Sequence, residues 1–150
     1  MLRQISRPAI GLLCCALCTG VATAQATDPA PILPESLQWF SPPGNPSLRG
    51  AWVVGSEQNA GLYVLRVMLD EGGRIPAHAH PDTRHSTVLS GTLYVAFGGS
   101  AGDADWIAVP AGAVYVAPAG VLHALWARDG DVVYQENGMG PTATITAAQP

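Results

Sequence analysis

The chain has 150 residues, 12% charged and 48% hydrophobic, with a formal net charge of −4. That composition excludes a disordered chain, and the acidic balance argues against nucleic acid or an anionic membrane as the main partner.

Met1–Gln25 reads as a secretory signal peptide. Arg3 and Arg7 supply a basic start, Ala9–Val21 an apolar core, and Ala22-Thr23-Ala24 a small-x-small cleavage site. The apolar run is short for a bilayer span, so no stable membrane insertion is expected. Removal of residues 1–24 leaves 126, enough for one domain and too few for two. The expected location is periplasmic or secreted. All three cysteines (Cys14, Cys15 and Cys18) fall in the removed segment, which leaves no thiol chemistry. The remainder carries five Arg, no Lys and eleven Asp or Glu, a formal charge of −6.

Residues 25–35, with Pro29, Pro31 and Pro34, are expected to form an extended arm, and residues 36–147 a single domain. Gly and Pro total 30, and past residue 24 the longest run free of both is ten residues, Leu62–Glu71. An average helix needs about 11–12 residues, so long helices are excluded. The runs 51–55, 62–69, 84–90, 92–97, 105–109, 113–117, 121–127 and 131–137 are rich in Val, Leu, Tyr and Trp and bounded by turn residues. They predict strands, hence an all-β sandwich or barrel. Trp39, Trp52, Trp106 and Trp126 are expected to pack on the sheets, and Asp103 and Asp105 to decorate a hairpin turn.

Three of the four histidines lie within eight residues: His78, His80 and His85; His123 stands in a later strand. Two residues apart on a strand, His78 and His80 project from one face and can offer two nitrogens to one ion. Such a pair alone reads better as surface or hydrogen-bonded histidines.

The framing residues add specificity. Gly72 is followed after five residues by His78-x-His80, then after three by Arg84 and after six by Gly91. Twenty residues on, Gly112 is followed after five by Pro118-x-Gly120, then after two by His123 and after three by Ala127. These blocks resemble the paired motifs of the cupin superfamily, and the likeness runs from about Leu37 to Ile145. The resemblance implies a small jelly-roll β-barrel with His78, His80 and His123 as metal ligands. Its divalent ion would be zinc, copper, nickel or iron. Two departures stand out: Ala127 replaces the usual Asn, and Arg84 falls where the family places a glutamate ligand. Arginine cannot coordinate a cation, but it binds carboxylates well, so Arg84 is read as a contact for a small anionic ligand. A bulge turning His85 inward is the competing register. Gln135 is a further pocket candidate from the resemblance.

Three readings stay open: a metal-dependent enzyme, a non-catalytic small-ligand binder, and a sensory or structural barrel without a functional metal. The expected partner is a small molecule, not nucleic acid, and a homodimer is allowed for. The sequence contains no Gly-x-Ser-x-Gly, no phosphate loop and no second carboxylate cluster.

Overall fold

Short apolar runs between glycine and proline turns form strands throughout the computed structural model, which describes residues 30–98 and 106–146. The expected signal peptide, the first residues of the arm, Asp103, Asp105 and the tail beyond Thr146 lie outside the described residues. Past a 3-10 turn at Pro34–Ser36, ten strands follow among the described residues. They are β1 (Leu48–Val54), β2 (Gly61–Leu69), β3 (Arg74–Ala79), β4 (Arg84–Ser90) and β5 (Thr92–Phe97). After residues 99–105 come β6 (Ile107–Pro110), β7 (Val114–Ala117), β8 (His123–Trp126), β9 (Val132–Gly140) and β10 (Ile145–Thr146). One sheet runs β1-β2-β9-β4-β7 and the other β10-β3-β8-β5-β6, all pairings antiparallel. The fold is an all-β jelly roll, the architecture that the resemblance implies and that the turn spacing allows.

Alternation along the strands separates inside from outside. Arg84, Ser86 and Val88 of β4 are buried, the latter two opposing Glu136 and Tyr134 of β9, while His85, between Arg84 and Ser86, is exposed. In the other sheet, Val95 of β5 and Leu125 of β8 pair in register and are buried. The interior therefore changes character along its length. Leu69, Leu93, Val95, Leu125 and Val132 fill one end, and each such burial is worth about 1.5–3 kcal/mol. Arg84 and Ser86 of β4, Glu136 of β9, His78 of β3 and His123 of β8 are buried polar positions of the same interior.

Gly91 joins β4 to β5 at φ +74°, and a Cβ there would collide with the Asp131 carbonyl. Only glycine meets both demands. Two strands, β3 and β10, escape the sequence reading. Pro76 sits inside β3 where its register against β8 shifts between Ile75 and His78, so a proline marks a bulge in place of a break. β10 is two exposed residues long, beneath what periodicity can register. Trp126 faces outward, with the Arg74 guanidinium 3.9 Å from its ring and Trp106 edge-on at 5.5 Å. No helix among the described residues is long and apolar enough to cross a membrane.

Candidate metal centre

The bulge at Pro76 and the Pro118–Gly120 turn aim the three histidines at one another. His78 and His123 are directly opposed across the β3–β8 ladder, and His80 follows two residues on, just past the end of β3. Ring centroids lie 4.3 Å apart for His78–His123, 4.9 Å for His78–His80 and 5.3 Å for His80–His123. One nitrogen from each falls within 4.8 Å of the others, and all three rings are buried.

Hydrogen bonds set the tautomers. His78 Nδ1 donates to the Pro76 carbonyl at 2.8 Å, His80 Nδ1 to Ala143 at 3.2 Å, and His123 Nδ1 to Val121 at 3.1 Å. A carbonyl oxygen can only accept, so each Nδ1 carries the proton and each Nε2 keeps its lone pair. His80 Nε2 is buried with no hydrogen-bond partner. Burial also disfavours the charged rings: it brings His78 down to about 4 and, with the Arg84 charge adding to it, His80 to about 3. His123 is lowered by the same burial. Neutral imidazoles with free Nε2 atoms are the form that binds metal, so this donor set fits a divalent ion.

Arg84 points inward and is 3% exposed, whereas His85 lies on the outer face opposite Asn137 and Val116. The bulged register with a fourth histidine does not form. Yet the Arg84 guanidinium is already engaged: Nη1 donates to Glu136 at 2.8 Å, Nε to Asp82 at 3.3 Å and Nη2 to Glu57 at 3.4 Å. Three carboxylates thus hold the charge that the sequence reading offered to an anionic ligand. Burial drives the Glu136 carboxyl upward while the Arg84 charge opposes it. At Asp82 burial also works upward, but the Thr142 hydroxyl and Arg84 outweigh it and hold the carboxyl low.

Gln135 requires a correction. It pairs with Arg66 across the outer face, accepting from Arg66 Nη2 at 2.7 Å, and its neighbour Glu136 is the inward residue. Strand parity from the buried Val132 and Tyr134 would have pointed to Glu136. The sequence reading also missed Ser86 and Tyr115, opposed in the β4–β7 register, whose buried hydroxyls lack hydrogen-bond partners. The Tyr115 ring stands 6.5 Å from that of His123, and burial raises its phenol, which stays a proton donor at neutral pH.

The cupin-domain family model matches residues 65–135. The barrel also resembles solved structures. A conserved protein of unknown function from Streptococcus pyogenes is 26% identical at TM-score 0.52, over 64% of this chain and 76% of that one. An RmlC-like cupin from Shewanella frigidimarina is 20% identical at TM-score 0.58, over 71% and 86%. The polyketide cyclase RemF from Streptomyces resistomycificus is 11% identical at TM-score 0.66, over 81% and 87%. At such identities the last two speak for the fold alone. No curated protein matches the sequence. The cupin-domain match over residues 65–135 and the shared barrel make the chain similar to cupins in fold. This chain joins a three-histidine cluster to an arginine bound by carboxylates.

Proposed function

We propose that the chain binds one divalent metal ion through His78, His80 and His123 and takes a small oxygen-bearing molecule beside it. The observation that carries this reading is the shared tautomer: three Nδ1 protons are committed to carbonyls, leaving an Nε2 lone pair on each of three rings that can offer nitrogens within 4.8 Å of one another. Imidazole sets suit zinc, copper, nickel and iron, and affinity rises toward copper. We place zinc, copper and nickel ahead of manganese. A bound ion would supply Lewis-acid polarisation of a ligand oxygen.

The chain's own residues supply the rest. Ser86 and Tyr115 are free to donate hydrogen bonds to a ligand oxygen. Three carboxylates surround Arg84, so the site favours a neutral ligand over an anion. Export through residues 1–24 belongs to the same proposal, and mature protein starting at Gln25 would support it.

Calorimetric titration of metal-free protein with Zn²⁺ tests the site. One ion per chain is expected. His123→Ala should weaken binding more than about 100-fold, beyond the usual loss of an outer-shell partner, and His85→Ala should leave it unchanged. Equal affinity in wild type and His123→Ala contradicts the proposal.

A further inference from the structure

His78 and His123 find their Nδ1 acceptors two residues back in their own segments, but His80 does not. Its acceptor, the Ala143 carbonyl, belongs to a segment 63 residues away, between β9 and β10. Little packing holds that segment: Ala143, Thr144, Ile145 and Thr146 are exposed, and β10 pairs with β3 over two residues.

What holds it is the charged cluster around Arg84. Asp82 accepts from the Thr142 hydroxyl, from the Met139 N–H at 3.3 Å and from Arg84 Nε at 3.3 Å. The Thr142 N–H donates to the Glu57 carbonyl at 2.7 Å. Arg84 Nη2 reaches the Ala143 carbonyl itself at 3.5 Å, so this oxygen faces both the guanidinium and His80. Gly138 leaves the necessary room, since a Cβ there would strike the Tyr63 hydroxyl and the Asp82 carboxylate.

We propose that Arg84 and Asp82 are positioning residues that latch Thr142–Ala143 over the barrel, so that the Ala143 carbonyl fixes the tautomer and orientation of His80. The inference rests on the metal reading above for its purpose. The arginine at the position of the missing carboxylate ligand then acts one step removed from the ion, through the backbone that orients a ligand. Outer-shell partners of ligating histidines typically change metal affinity by about 10–100-fold.

Thr142 allows a test that leaves the Arg84–Glu136 pair intact. Thr142→Val removes the hydroxyl that Asp82 grips, and Thr142→Ser restores it. Imidazole ¹⁵N spectra of the metal-free proteins report each tautomer, and Co²⁺ titration reports affinity. In Thr142→Val, His80 should lose its uniform Nδ1–H form while His78 and His123 keep theirs, and Co²⁺ affinity should fall about 10–100-fold. Thr142→Ser should recover both. Unchanged His80 signals overturn the latch, as does a common shift of all three rings, which would mark general loosening. Absence of Co²⁺ binding in wild type overturns the metal reading, while the His80 tautomer still decides the latch.

Discussion

Glu136 is buried and depends on Arg84 Nη1 for its close contact, whereas Asp82 and Glu57 are less enclosed and can recruit water. Removing one partner of a buried pair strands the other, which typically costs about 3–5 kcal/mol, but exchanging both for apolar residues costs far less. Arg84→Met is therefore expected to destabilise by about 3–5 kcal/mol in urea unfolding, and Arg84→Met with Glu136→Met to recover most of it. A single-variant loss under about 1 kcal/mol would count against a buried pair of this weight. The three histidines were legible because their spacing and framing glycines are local features. Arg84's inward direction was legible too, from its count to Gly91. Its partners were not: Glu57, Asp82 and Glu136 meet only through tertiary approach, with the five strands β4 to β8 lying between Asp82 and Glu136 in sequence.

At the scale of elements, turn glycines carry unequal burdens. Gly91 and Gly112 both have positive φ, at +74° and +85°, but a Cβ at Gly112 would meet open space. Gly112→Ala should cost about 1–2 kcal/mol from backbone strain. Gly91→Ala adds a collision with the Asp131 carbonyl, and should cost at least about 1 kcal/mol more. Equal midpoints for the two variants in denaturant would show that the β4–β5 turn relaxes freely. Eight strands were readable from apolar runs between breakers. β3 was hidden by Pro76 and His78, residues that weaken a strand signal and here shape the site. The latch segment carries no periodic pattern at all, so its role emerges only from what it touches.

The whole molecule should respond to acid through its buried rings. Unfolded histidines take up protons below about pH 6.5, whereas folded His78 resists until about 4. Unfolding therefore binds protons, and stability present above pH 6.5 is lost as the pH falls toward 4. Between pH 6.5 and 5 the loss from His78 alone is about 2 kcal/mol, with His80 lowered further and acting in the same direction. Urea unfolding of metal-free protein across that range should show the decline, and saturating Zn²⁺ at pH 6.5 should raise stability because the ion binds the folded form. Flat stability from pH 7 to 5 would mean that the rings are solvated.

Zinc-edge X-ray absorption of the zinc-loaded protein probes the triad at the ion itself. Three imidazole nitrogens at about 2.0–2.1 Å are expected, with His123→Ala reducing the imidazole count to two. A first shell made of carboxylate oxygens, or an imidazole count unaltered by His123→Ala, would contradict a centre built from His78, His80 and His123.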